Sequence, residues 1–367
     1  MINLRFFPSR RLAFYMVRLF LTRSLAVLVA LVLILMTLDL LGESGKILAV
    51  PGNGDAELWR YVGLRVPLLI SRFLPFSVLL GTLIALAGLN QHSEVVAMKA
   101  AGISAHQMLA PLMIASVALA GLLFVFNETV VVKSARVVTA WTDNDYRPLP
   151  KETGILTNVW VMHGDDLVSA QIVAGRGETF HARGLVIYDR ADGGGALQRV
   201  IRAERADPVD GAWRLSNVRI YDAAVSAARQ VPEMRALAGL EPERLTLAKV
   251  DPDELDFATL KERIGQLDRA GRSSAEAEAG LWHKVSGPLS TVLMPLLAAT
   301  AAFGLARSGQ VLLRATIGMA LGFAYFVADN FSLAMGNAGA YPPLIAAWAP
   351  FFLFVLIGET VLVRTEE

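Results

Sequence analysis

Six stretches of mostly apolar sequence, each long enough to cross a bilayer, constrain this chain more than any other feature. They run from Val17 to Leu41, Val62 to Leu89, Met108 to Phe126, Val285 to Leu305, Leu312 to Leu333 and Leu344 to Val363. About 20 apolar residues at ~1.5 Å each match a hydrocarbon core of ~30 Å. Within that core every backbone N–H and C=O needs a partner in its own segment, so such stretches fold as helices. Composition agrees: 54% of the 367 residues are apolar and 18% are charged, where a soluble domain carries roughly a quarter charged residues. The mean hydropathy of +0.48 points the same way. Pro67, Pro75 and Gly81 fall in the second stretch and predict a bent helix whose freed carbonyls neighbours satisfy. Arg5, Arg10, Arg11, Arg18 and Arg23 surround the start of the first stretch. It ends in Asp39-Leu40-Leu41-Gly42-Glu43 with no small-x-small cleavage site, which predicts a retained helix rather than a removed signal.

Between the third and fourth stretches the periodicity changes. Val159–Met162, Asp166–Val173, Gly184–Asp189 and Leu197–Ile201 read as short strands, and Trp213–Tyr221 alternates almost strictly, the mark of a strand with one buried face. His163-Gly164-Asp165, Asp192–Gly195 and Asp207–Gly211 read as the turns between them. Regular short strands at this spacing predict a sandwich or jelly roll. Asp251–Leu255 then leads into an amphipathic helix near Leu260–Arg269, and Gly271–Ala279 reads as a linker.

Arginine and lysine near the spans predict orientation. One side collects the N-terminal arginines, Lys99, Arg307, Arg314 and Arg364, whereas the short loops opposite hold only Lys46 and Arg60. Both termini are therefore expected in the cytoplasm and the polar insert outside the inner membrane, in the periplasm if the cell has two membranes. The expected fold is a polytopic α-helical membrane protein with six transmembrane helices and an inserted all-β, jelly-roll-like domain. Residues 1–134 hold helices one to three with a short cytoplasmic helix near 90–103. Residues 135–255 form the β domain, 256–280 a helix and linker, and 281–367 helices four to six.

Signatures of catalysis are scarce. Cysteine is absent, and the five histidines (His92, His106, His163, His181, His283) lack zinc-ligand spacing. Gly42-Glu43-Ser44-Gly45-Lys46-Ile47 lacks the leading glycine and the Mg²⁺-binding Ser/Thr of a phosphate loop. A net charge of +1 without a long basic run gives nucleic acid nothing to grip. The chain reads as non-catalytic and free of cofactors, so any work it does draws on a partner's energy. Charges in or near spans are costly and therefore candidates for function. Arg65 and Arg72 lie seven residues apart, two helical turns, on one face of the second span; they read either as a cationic stripe toward an anionic ligand or as arginines snorkelling to the interface. Asp329, beside Asn330, is a partner for one of them or the cap of a helix break. In the link between spans two and three, Ser93 is expected to cap a short helix with Glu94 at its positive end. Val95, Val96, Met98 and Ala101 leave an apolar patch there. The segment is either an interfacial helix on lipid or a coupling helix that docks into a soluble motor subunit.

These residues also carry a resemblance. Leu89–Gly102 (LNQHSEVVAMKAAG), the strand ending Trp213-Arg214-Leu215-Ser216-Asn217-Val218, Leu281–Ser290 (LWHKVSGPLS) and Tyr341–Ile345 (YPPLI) resemble the lipopolysaccharide export permeases, the LptF/LptG family, along essentially the whole chain, and the G branch more than the F. The resemblance implies a heterodimer with an LptF-type permease and an LptB-type ATPase dimer in the cytoplasm. It also implies an LptC-type protein with one span and a jelly roll, and lipopolysaccharide as the cargo passed toward the outer membrane. In that frame Glu94, with Ser93 and Met98 beside it, matches the segment that meets the ATPase. Arg65, Arg72, Lys46 and Asp329 become candidate contacts in the lipopolysaccharide cavity. The family's basic cavity position is Leu68 here, and Gly42 and Glu43 stand where its lysines follow span one. The alternatives are a mechanotransmitting permease for another lipid or a lipoprotein, a membrane-bound enzyme, and a non-transport scaffold. The first usually has four spans with its large domain after span one, and the second needs converging polar pairs within the spans.

Overall fold

The computed structural model describes residues 9–149, 155–175, 179–191, 196–222, 228–247, 250–304 and 311–366. Arg5, Arg307 and the turn at Asp192–Gly195 lie outside them. The chain divides into two compact units. One comprises the residues up to Glu43, Leu58–Ala135 and the residues from Pro252 onward; the other comprises Ser44–Glu57 and Arg136–Asp251.

The first unit is helical. Among the described residues, six helical segments are long and apolar enough to cross a membrane: Arg10–Leu48, Asp55–Gln91, Ala105–Asp143, Ala275–Ala302, Ala315–Asn337 and Pro343–Arg364. The six expected spans are therefore present, and several run on past the apolar stretch that marks them. Helix α1 (Arg10–Leu48) and α2 (Asp55–Gln91) have 39 and 37 residues, which at ~1.5 Å per residue exceeds the ~30 Å hydrocarbon core. A short α3 (Glu94–Ala100) leads into α4 (Ala105–Phe126). A π-helical stretch, Asn127–Val131, joins α4 to α5 (Val132–Asp143). The fourth span is central: 78% of its apolar window is buried, against 17% for the first span, which presents its apolar surface outward. Leu79, Leu86, Met108, Leu112, Leu293, Met294, Leu297 and Tyr325 form the packed interior.

Among the described residues, the second unit is built on one antiparallel sheet. Strands β1 (Leu156–His163), β2 (Asp166–Ala174), β3 (His181–Arg190), β4 (Leu197–Val209), β5 (Ala212–Asp222) and β6 (Ala228–Ala236) pair in sequence order. The β domain is thus a six-stranded meander rather than two sheets of crossing strands. One reading needs correction, and one strand lay outside the pattern. The segment Asp207–Gly211 is mostly strand, because β4 continues through Pro208 to Val209 and only Asp210 (φ 48) and Gly211 (φ 71) turn. An Asp-Gly pair with positive φ at both positions is a two-residue hairpin turn that keeps the flanking strands paired. Strand β6 carries no hydrophobic alternation because it is an exposed edge, where Pro232 costs no ladder bond.

Alternation within the strands slips by one residue along a single transverse row. In β5 the buried residues run Trp213, Leu215, then Val218, so the near-strict alternation expected for Trp213–Tyr221 breaks at Asn217, whose φ is 55. Asn158 in β1 (φ 52) and Gly184 in β3 (φ 60) adopt the same left-handed conformation. The registers align Asn158, Gln171, Gly184, Glu204, Asn217 and Pro232 across the six strands. A left-handed residue bends its strand and resets which side chains face inward. Asn217 donates to Glu204 Oε2 (2.7 Å) and Trp160 Nε1 donates to Asn158 Oδ1 (2.9 Å). A Cβ at Gly184 would lie 2.9 Å from Gln171 Cβ, so this crossing requires glycine. On both sides of the crease Val168, Ala170, Leu185, Ile187, Ala206 and Leu215 face one core. Trp213 Nε1 there donates to the Leu240 carbonyl (2.8 Å), and helix α6 (Pro242–Thr246) packs against β1.

After the sheet, a single 3₁₀ turn (Pro252–Glu254) precedes α7 (Phe257–Arg269), whose N-cap Asp256 accepts the Thr259 N–H (3.0 Å). Helix α8 (Ala275–Ala299) begins inside the stretch expected to be a linker. Helices α9 (Val311–Asn337) and α10 (Pro343–Glu366) complete the chain.

Candidate functional site

The link between spans two and three is a helix on a turn. Ser93 occupies the N-cap position of α3, but with φ 58 and ψ 15 its side chain makes no cap bond. The expected cap is therefore absent: a left-handed residue aims its hydroxyl away from the free N–H groups of the first turn. Capping is instead found one helix later, where Ser104 Oγ accepts the Gln107 N–H (3.2 Å) and Gln107 Oε1 accepts the Ser104 N–H (3.1 Å), a reciprocal box. Along α3, Val95 and Met98 (8% exposed) pack into the helical core, whereas Val96 is 65% exposed. Met98 thus supports the helix from beneath and Val96 holds the outward apolar position. Glu94 is half-buried, and its Oε1 accepts the hydroxyl of Tyr15 on α1 (3.3 Å).

The charges in span two fare differently from each other. Arg65 is held by Asp39 of α1 through two bonds, Nε to Oδ2 and Nη2 to Oδ1, both 3.1 Å, and Tyr61 donates to the same Oδ2 (2.7 Å). Its guanidinium is therefore matched to a carboxylate in the bidentate geometry that suits it, and it is not a free cation on a rim. Arg72, two turns on, is exposed and makes no ion pair among the described residues. Lys46 lies in the last turn of α1, within the second compact unit. Asp329 is buried on α9, and its Oδ2 lies 3.9 Å from Nε2 of the His283 imidazole on α8. The pairing expected between Asp329 and an arginine of span two does not occur. Neighbouring Asn330 donates to Phe326 O of its own helix (2.8 Å).

Sequence reasoning passed over a second polar junction in the same unit. Glu128, inside the π-helical stretch, accepts Lys284 Nζ of α8 at 3.0 Å, with both side chains largely buried (16% and 12% exposed). Its other oxygen accepts the backbone N–H of Phe257, the first residue of α7. Next to it Asn127 accepts the hydroxyl of Ser71 on α2 (2.7 Å). A π-helical turn carrying a carboxylate marks the place in the structure, since such turns cluster at functional positions, but nothing local in sequence announces one. Among the described residues no group of three His, Asp or Glu side chains is arranged to hold a metal ion.

Comparison with known proteins agrees with this architecture. A family model described as the lipopolysaccharide export system permease LptF/LptG matches residues 14–364. The chain is 29% identical over 353 residues to the lipopolysaccharide export system permease protein LptG of Escherichia coli K12, covering 93% of this chain and 94% of that protein. It is 25% identical over 328 residues to the protein of the same name from Haemophilus influenzae, covering 86% and 89%.

Proposed function

The chain belongs to the lipopolysaccharide export system permease family LptF/LptG, and on that footing we propose that it is the LptG-type half of a heterodimeric transporter in the inner membrane. It is a multi-pass permease subunit of lipopolysaccharide export. The observation that carries the proposal is that one family match spans both the helical unit and the inserted sheet. In this reading an LptF-type permease is its partner across the membrane, and an LptB-type ATPase dimer binds and hydrolyses ATP on the cytoplasmic side, so this chain needs no cofactor. An LptC-type protein with a single span receives the cargo. The transporter lifts lipopolysaccharide from the inner membrane and hands it to a periplasmic bridge. Purified from membranes with its partners, the complex should carry lipopolysaccharide as its main bound lipid by mass spectrometry. A different stably bound lipid, or none, would overturn the assignment.

The arginine and lysine bias supports cytoplasmic termini and a periplasmic β domain. Reporter fusions at Lys99 and Arg364 should read cytoplasmic and one at Asp192 periplasmic; one reversal would break the three-plus-three arrangement.

Half-buried Glu94 at the start of α3 is proposed as the polar anchor for the ATPase, with exposed Val96 and Lys99 on the same short helix. Ser93 sets its direction through the turn rather than through a cap. For the cargo, Arg72 is the stronger of the two arginines, because Arg65 already has a carboxylate. An exposed guanidinium within a span must meet water or an anion, since an unpaired one costs ~2.5–3.5 kcal/mol at the bilayer centre even on the lenient scale. Arg72→Glu should leave expression intact and markedly reduce photo-crosslinking of lipopolysaccharide. Arg72→Lys should keep part of it, because lysine meets phosphate as a point charge and arginine in a bidentate fork. Equal crosslinking in all three proteins would remove Arg72 from the contact set. Lys46 and Asp329 are the weaker proposals, the first at the end of α1 and the second buried beside His283.

A further inference from the structure

We infer that Glu128 is a positioning residue for export, clamping the two connections through which the membrane helices hold the β domain so that they shift as one body. The chain runs outward from span three through α5 and returns through α7 into α8 and span four. Glu128 and Phe257 are 129 residues apart in sequence, yet the carboxylate of one accepts the N–H of the other. The second oxygen binds Lys284, 156 residues away, on the span that α7 leads into. One side chain therefore ties the outgoing stem, the start of the returning helix and the fourth span together. Each part has its own reason to be there. A carboxylate at the first turn of a helix is favoured by the helix dipole and fills an N–H with no intrahelical partner. A largely buried carboxylate and ammonium are each costly alone, and removing one leaves the other uncompensated. Leu260, Ile264 and Leu267 are the buried face of α7, which packs on α8; Asp256 caps the Thr259 N–H, and Glu128 supplies the partner for the N–H of Phe257 in the same turn. The π-helical stretch at Glu128 is the irregular point of span three, and the bond from Ser71 to Asn127 extends the junction to span two.

A clamp of this kind makes a demand that a plain ion pair does not: both carboxylate oxygens must be occupied. The inference rests on the export reading for its transport readout, and amide exchange reads the clamp without any cargo. In the purified complex with its partners, Glu128→Gln should raise hydrogen exchange in the first turn of α7 by about tenfold, the scale of one lost charge-assisted hydrogen bond. ATP hydrolysis should persist while release of lipopolysaccharide falls severalfold.

The sharper test is at Phe257. Proline fits the first helical position and removes only the N–H. Asp256 before it, at φ −71 and ψ 162, already has the extended conformation that proline requires of its neighbour. Phe257→Ala removes the ring and keeps the N–H, so comparing the two variants isolates the bond. Phe257→Pro should export severalfold less than Phe257→Ala at equal expression and equal ATP hydrolysis. Exchanging the charges, Glu128→Lys with Lys284→Glu, should restore the ion pair and thermal stability but not export, because an ammonium cannot accept the Phe257 N–H. Equal export by the proline and alanine variants, or full export by the exchanged pair, would show that the ion pair alone matters and overturn the clamp. Unchanged exchange in α7 with Glu128→Gln would overturn it independently of whether lipopolysaccharide is the cargo.

Discussion

Glu94→Lys is expected to cost the permease its ATPase while leaving the chain in the membrane. The half-buried carboxylate stands at the N-terminal end of α3, where the helix dipole favours negative charge. Reversing it places a cation at that end, removes the acceptor for the Tyr15 hydroxyl, and inverts the charge that a docking partner meets. Like-charge contact in an interface costs several kcal/mol, enough to weaken association by orders of magnitude. Val95 and Met98 keep the helix seated on the core, so insertion and expression should persist. Co-purification of the ATPase with the tagged permease, and ATP-driven release of lipopolysaccharide, are the measurements. Glu94→Gln, which preserves an acceptor for Tyr15, should fall between the two. A lysine variant that retains its ATPase and exports normally would reduce Glu94 to a residue at the membrane surface with no part in coupling.

The largest effect on folding is expected at Gly81. A Cβ there would lie 2.5 Å from both the Cα and the backbone N of Ser24. Spans one and two therefore approach backbone to backbone at this point, the close packing that small residues permit inside membranes. A flexible side chain could swing aside, but a neighbouring helix backbone cannot, so Gly81→Ala must part the helices. That places the cost at or above the upper end of the ~1–3 kcal/mol typical of overpacking. Gly63→Ala and Gly88→Ala, with nothing within 4 Å of the added carbon, serve as controls in the same helix. Thermal denaturation of the detergent-solubilised chain should separate them clearly. If all three melt alike, the two spans do not meet at Ser24.

Much of this architecture could be read from sequence because the bilayer imposes a length, and six stretches meet it. The strands of the insert were legible where apolar residues alternate, as in Trp213–Arg214–Leu215, or gather between turn signals, as in Val159–Met162. They were not legible at β6, whose exposed faces leave no pattern, nor at Pro208, where proline and aspartate together suggest a turn although the chain bends two residues later. Ser93 misled because cap chemistry depends on a backbone angle as well as on a side chain. The partner of Arg65 had a usable signal. Asp39 and Arg65 lie equally far from the turn near Gly52 that joins their helices, so an antiparallel pair brings them to one depth. Asp329 offered no such symmetry, and its approach to His283 follows from how α8 and α9 pack. Glu128 meets Phe257 and Lys284 across more than a hundred residues, beyond the reach of local pattern.

The sequence-ordered pairing of the six strands has a consequence for biogenesis. Every ladder joins neighbours along the chain, so the sheet can form from local contacts, which close at low entropic cost and fold fast. Helices α8, α9 and α10 are still unsynthesised when β6 has been made. The insert therefore has what it needs to complete its core during translation, domain by domain. The later helices are then laid down against a chain whose middle is already folded.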